Sequence, residues 1–324
     1  MSEETDNVII FPRWKNDLEL KAKKSMEQGN FKEAYTYLVE LTDNGVDSPE
    51  VMTGKLICMM EMNLQTEAEL LCEQLLAKKD NHYYSYLHIY VTLLFQASKY
   101  ADVLTIIEEA LETDPPSPFQ EQFKQMYTLS KELQQQVDIQ TKKEVLVKLN
   151  GAIKERNDRQ QWYMIKRLLY LDEHSDIPLL KSMLLDPEIN PVVKTAILEY
   201  YAVNPIKEEL HIEKFNVKDK MYLHKEEVIP QKFFEEMYRF LDEIQQQDPT
   251  IFQMIQSIVQ RFAYVYTPFL PREENYLLFT QALIDYVHQR LDKEWKDNIT
   301  DPVKNQYIKM IEVSETLYGQ ILDL

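Results

Sequence analysis

Gly29-Asn30-Phe31-Lys32-Glu33-Ala34-Tyr35-Thr36-Tyr37-Leu38-Val39-Glu40-Leu41 decides the fold, because its pattern returns twice further along the chain. Ala34, Ala68 and Val103 stand 34 and then 35 residues apart. Leu38, Cys72 and Ile107 come four residues after them, and Leu41, Leu75 and Ala110 three further on. Offsets of three and four put these columns on one helical face, and small side chains in the first column let two helices approach closely. Upstream, Leu18, Met52 and Leu87 correspond, as do Ala22, Leu56 and Val91. Gly29, Asn63 and Ser98 fall between the two patterns, where a turn is expected. Each unit therefore reads as helix, turn, helix.

This periodicity resembles the tetratricopeptide repeat, whose helix pairs recur every 34 residues with small and large apolar residues at these columns. Gly29 to Leu41 is the fullest match. Tyr100, Val103, Ile107, Ala110 and Pro115 fit nearly as well, whereas the middle unit has Gln65 in place of an aromatic after its turn. Three such units span about residues 15 to 115, roughly a third of the chain. The resemblance implies an all-α, right-handed solenoid whose concave groove is lined by the first helix of each pair. Carrying the family register across places Glu19, Lys23 and Met26 there from the first unit, Thr53, Ile57 and Met60 from the second, and His88, Thr92 and Phe95 from the third. Family members that clamp a C-terminal carboxylate use lysine, asparagine and arginine at such positions, and Lys23 alone does not make that set. A mainly apolar stripe with methionines and an aromatic suits an amphipathic helix or an extended peptide. The alternative filling is internal, by the chain's own N-terminal segment or its later helices.

Composition narrows the function classes. With 324 residues the chain can form two domains or one elongated array, and 44% hydrophobic content with 5 glycines and 14 prolines suits helices joined by proline-started connections. A net charge of −18 argues against phosphate backbones and anionic lipid surfaces as partners. The densest basic run, Lys21, Lys23 and Lys24, is bracketed by Glu19 and Glu27 and reads as a solvated helix face. Two cysteines, Cys58 and Cys72, are too few for a disulfide framework and suggest a reducing compartment. Cys72 sits in the large apolar column and reads as a small buried hydrophobe. The acidic start, Met1 to Asp6, does not match a signal peptide, and no run has the apolar length of a membrane span. A soluble, cytoplasmic protein is expected.

In chain order, residues 1–14 read as a tail ending in an apolar strap, Val8-Ile9-Ile10-Phe11-Pro12-Arg13-Trp14, which packs on the first repeat or serves as a self-ligand or docking peptide. Residues 15–140 read as repeats with a capping helix over about 119–137, because an array's last repeat must cover its apolar face. From about Lys142 the 34-residue signature is lost, and 141–207 reads as further helix pairs, one of them around Val145 to Lys154 with Arg159 to Leu171. Within that stretch, Asp176 to Pro187 followed by Asn190 to Leu198 resembles a HEAT-type unit, in which a short helix ends at Asp-Pro and a second begins a few residues later. Leu210, Ile212, Met221 and Leu223 flank a polar Asn216 to Lys220, which predicts a small β-hairpin linker at 208–228. Residues 229–324 read as a C-terminal helical domain. It starts with a helix opened by Pro230 that carries Phe233, Phe234, Met237, Leu241 and Ile244 inward.

Chemistry-bearing patterns are scarce. The glycines are too scattered for a phosphate-cradling loop, and the six histidines, His82, His88, His174, His211, His224 and His288, show no ligand spacing. No metal and no cofactor are expected, and abundant carboxylates on an acidic solenoid do not by themselves indicate acid–base catalysis. The order of segments resembles tetratricopeptide proteins of Gram-positive bacteria. That resemblance implies a non-catalytic adaptor for a protein or peptide of unspecified identity. A receptor for a small peptide or metabolite is the second expectation, and a helical-cavity hydrolase the third.

Overall fold

The structure, a computed structural model, describes residues 12–171, 177–204, 209–223, 228–291 and 301–322. The chain divides into two compact units, Met1–Val137 and Asp138–Leu324.

The first unit consists of three helical hairpins. They are α1 (Pro12–Glu27) with α2 (Phe31–Asp43), α3 (Pro49–Glu61) with α4 (Gln65–Ala77), and α5 (Tyr83–Gln96) with α6 (Tyr100–Glu112). Ala34, Ala68 and Val103 are fully buried on the second helix of each pair, with Leu38, Cys72, Ile107 and Ala110 buried beside them. The turns repeat as faithfully as the columns. Gly29, Asn63 and Ser98 all adopt positive φ, at 74°, 56° and 58°. At each, that residue's amide donates to the carbonyl three residues back and the next amide to the carbonyl five before it, as in Gly29 to Met26 and Asn30 to Ser25. This double closure ends the first helix and reverses the chain. A second left-handed series, Gly45, Lys79 and Asp114, follows the second helices at the same period. The repeat is thus a repeat of backbone conformation, held even where asparagine, serine, lysine or aspartate must accept a φ that glycine takes more easily.

Each hairpin is closed by the next one. The first core cluster includes Leu18, Ala22, Leu38 and Leu41 together with Val51 and Cys58 of α3, and the second adds Tyr86 and Leu93 of α5 to Ala68, Cys72 and Leu75. The third hairpin is covered by α7 (Ser117–Lys154), which sets Phe123 into its core with Phe119, Met126 and Tyr127 alongside. The expected end of this helix near Val137 is corrected. It continues for 38 residues and absorbs the segment from Val145 that reads in sequence as a separate helix. Asp138 to Glu144 contains neither glycine nor proline, so nothing there interrupts the helix. Pro12 to Trp14, expected to belong to the strap, form the first turn of α1, and Trp14 packs on the first cluster. Residues 8–11 of that strap lie outside the described residues.

The second unit has one hydrophobic cluster reaching from Val145 to Ile321. The end of α7 pairs with α8 (Asp158–Leu168) through a turn in which Arg156 has φ 53°. The Arg156 and Asn157 amides close on Ile153 and Ala152 just as in the repeats. In that register Gln161, Ile165 and Leu168 take the places of Ala34, Leu38 and Leu41. Gln161 is buried and donates Nε2 to the Ala152 carbonyl at 3.2 Å, so the hairpin persists where the small-residue signature does not.

Next come α9 (Pro178–Leu185) and α10 (Pro191–Val203), separated at Asp186-Pro187 as the sequence suggests. The Asn190 side chain caps α10, and the helix is buried on nearly every face. Strands β1 (Leu210–Lys214) and β2 (Val217–Met221) pair antiparallel, with Lys214 opposite Val217. The turn is Phe215-Asn216, both at positive φ, rather than the polar run that follows, which is strand. Phenylalanine is a poor turn signal. Its ring stacks on Tyr266 with centroids 4.3 Å apart, which holds it there. Expected as a linker, the hairpin instead shares the core through Leu210 and Ile212. The helix opened by Pro230 is two: α11 (Gln231–Arg239) and α12 (Asp242–Gln247). The unit closes with α13 (Pro249–Tyr266), α14 (Tyr276–Arg290) and α15 (Pro302–Leu322). At its centre Phe279 meets Phe262, Phe233 and Tyr307, with ring centroids 4.6, 6.3 and 5.4 Å away.

Candidate functional site

Stacking the hairpins brings α1, α3 and the start of α5 to one face, and a cavity of about 830 Å³ opens there. Its apolar lining comes from Ala22, Met26, Leu38, Val51 and Ile57, and its polar lining includes Lys15, Glu19, Lys23, Glu27, Glu50 and His82. Of the residues assigned to the groove from sequence, Glu19, Lys23, Met26, Thr53 and Ile57 line this cavity. Met60 packs partly buried against the second cluster. His88, Thr92 and Phe95 lie elsewhere. His88 rests on Phe119 and Phe123 at 6.5 and 6.3 Å, Thr92 donates its hydroxyl to the His88 carbonyl at 2.7 Å, and Phe95 meets Tyr100 edge-on at 5.4 Å. The third unit reaches the cavity only through His82 and Ser85, and α7 sets Phe119 and Phe123 against His88. Burial holds the His88 imidazole below its ordinary pKa.

The cavity also shows residues that sequence reasoning missed: Ser48, Pro49 and Glu50 at the start of α3, Gly54 in its interior, and His82 and Ser85. A Cβ at Gly54 would lie 3.4 Å from Leu38 Cδ1 and 3.6 Å from Met26 Sδ, ordinary packing distances, so both side chains come close to the bare backbone at the cavity floor. A glycine inside a helix costs about 1 kcal/mol relative to alanine, and that cost is the signal that could have drawn attention to it.

Charge around the cavity is mixed. Lys15 and Glu19 form an exposed ion pair at 3.7 Å. Glu50 has its carboxyl held below the usual range by a hydrogen bond to its own backbone amide at the start of α3 and by the Ser48 side chain. Among the described residues, the cations lining the cavity with Glu19, Glu27 and Glu50 are Lys15 and Lys23, beside His82, which does not make a convergent cationic clamp. What the arrangement can do is bury apolar side chains against Met26 and Ile57 while polar groups satisfy the edges.

Nucleophilic chemistry finds no support at the cysteines. Cys58 and Cys72 are buried, which pushes their thiols up to about 11 and about 12 and keeps them protonated at neutral pH. Among the described residues no three of histidine, cysteine, aspartate and glutamate gather as a metal site. No helix of the described residues is long and apolar enough to cross a membrane.

Recurring hairpins with a shared inner face make the first unit a helical repeat that resembles the tetratricopeptide type. The comparison with known proteins agrees. The chain is similar to the TPR repeat-containing protein YsoA of Bacillus subtilis (strain 168), at 27% identity over 283 residues, which covers 85% of this chain and 84% of that protein. The resemblance to repeat proteins of Gram-positive bacteria therefore extends through both units. No family model matches the chain, and no solved structure does.

Proposed function

We propose that the chain is a non-catalytic cytoplasmic adaptor that takes an apolar segment of a protein partner, an amphipathic helix or an extended peptide, into the groove formed by α1, α3 and the start of α5. The observation that carries this reading is the apolar cavity floor of Ala22, Met26, Leu38, Val51 and Ile57 on the face that the repeats present in common. Covering an aliphatic side chain the size of Ile57 contributes about 1.5–3 kcal/mol when burial is complete, so a few such contacts account for a working affinity. The mixed edge adds selectivity through polar pairing more than strength. Neither nucleic acid, membrane, metal nor cofactor has a part in this function.

Photo-cross-linking tests it. A cross-linker placed at Thr53 of the full-length chain should capture a discrete protein partner from native lysate, and Ile57→Glu should reduce that capture roughly tenfold or more while circular dichroism stays unchanged. Capture that is indifferent to Ile57→Glu would mean that the groove does not do the recognising.

A further inference from the structure

In the second unit two lysines are buried close together without a carboxylate partner. Lys194 on the first turn of α10 is 1% exposed and Lys214 at the end of β1 is 2% exposed. Lys214 Nζ donates to Thr195 Oγ1 at 2.7 Å and to the Val265 carbonyl at 3.0 Å. Lys194 Nζ donates to the backbone carbonyl of Glu213, whose own carboxylate pairs instead with Lys218 at 3.3 Å. Among the described residues, neither amine has a carboxylate within ion-pair distance. An ammonium group has three donors, so Lys214 retains one and Lys194 two.

Both lysines line a cavity of about 270 Å³ whose apolar walls include Pro191, Phe215 and Leu317. Pro191 is the first residue of α10, so the positive end of that helix's dipole lies at the same place. Burial lowers the pKa of both amines, and for Lys214 the neighbouring Lys194 lowers it further, while Glu213 and Asp186 act on Lys194 in the opposite sense from beyond contact. Lys214 taken alone is explained as a cap on the last turn of α13, where Val265 lies. Lys194 has no such explanation, since a single strand carbonyl is all that holds it.

We propose that this cavity binds a small oxyanion, a carboxylate or a phosphate monoester, whose oxygens accept the remaining donors of Lys194 and Lys214 and whose apolar part lies against Pro191 and Leu317. The volume is at the small end for ligand pockets, which limits the ligand to a few heavy atoms beyond the oxyanion. The −18 net charge makes the site selective by contrast, because only a locally buried cationic pair overcomes the general repulsion of anions. Nothing in this proposal depends on the groove of the first unit.

The full-length chain is titrated calorimetrically with sodium phosphate and, separately, with sodium acetate, each against sodium chloride at matched ionic strength. Saturable binding above the chloride baseline is expected in at least one arm, and the arm that responds identifies the oxyanion. Lys194→Gln should weaken it roughly tenfold or more, the scale of one charge-assisted hydrogen bond. Lys214→Met should do the same, and Lys220→Gln, altering an exposed lysine that pairs with Glu209 outside the cavity, should leave it unchanged. If Lys214→Met does not fold, Lys194→Gln decides. Absence of saturable binding in both arms, or equal affinity in Lys194→Gln, overturns the proposal.

Discussion

The first unit divides its apolar burial among three clusters, each shared between one hairpin and the element that follows it. The second gathers residues from Val145 to Ile321 into one cluster, with α10 enclosed on nearly every side. The difference determines where each can carry function. A stack of hairpins satisfies its core through nearest neighbours and leaves the inner faces of its first helices to line a cavity, which is where the proposed recognition would fall. A single enclosed core places unusual chemistry inside, in polar groups such as Lys194, Thr195 and Lys214 that lie among apolar helices.

Cooperativity is where that contrast can be broken. Phe279→Ala removes the ring at the junction of α11, α13, α14 and α15 and should cost about 3–5 kcal/mol. Hydrogen exchange on the full-length chain should show the lost protection spread from α8 to α15. A loss confined to α14 would mean that the large core does not act as one. Ala68→Leu forces a bulky side chain into a fully buried small column and should cost roughly 1–3 kcal/mol. Here the exchange should quicken in α3, α4 and α5 and fade towards α1. Uniform opening from α1 to α6 would show that the repeats do not behave as nearest neighbours.

The repeats were legible because their determinants are local. Ala34, Ala68 and Val103 sit one helix-pair apart, and each hairpin is specified by residues within about forty positions of one another. The second left-handed series was not, since lysine and aspartate at 79 and 114 carry no glycine-like signal and the hairpin itself imposes their conformation. Four of the groove assignments, Met60, His88, Thr92 and Phe95, fall outside the cavity, because a repeat register says nothing of Met60 packing on the second cluster or of α7 setting Phe119 and Phe123 against His88. Lys214 shows a signal that was present and unread. Leu210, Ile212 and Lys214 alternate on one strand face, so period two already turns the lysine towards the core. Lys194, inside Val192-Val193-Lys194-Thr195-Ala196, is likewise a charge within an apolar helical run.

Buried titratable groups sharpen the same contrast through pH, with smaller effects. His88 has a folded-state pKa below its ordinary 6.5, so the unfolded chain binds more protons just beneath that value. The first unit should therefore lose stability as pH falls from about 6.5, and His88→Gln should flatten the dependence. Lys214 lies well below 10.5 when folded, so the unfolded chain holds the extra proton over the window beneath 10.5. Stability of the second unit should rise with pH through that window, by at most about 1.4 kcal/mol per pH unit for one proton. Tyr266, pushed up to about 12 by burial, has the opposite sign and acts only above its ordinary 10.0, whereas Lys194, also lowered by burial, acts in the same sense as Lys214. Urea unfolding of the full-length chain below about pH 10 should show midpoints that climb with pH, and Lys214→Met should remove part of the climb because it takes out one of the two lowered amines while keeping similar bulk. A slope unchanged in Lys214→Met would place its source outside Lys214, and the lysine at the end of β1 would then carry none of the pH sensitivity of the enclosed core.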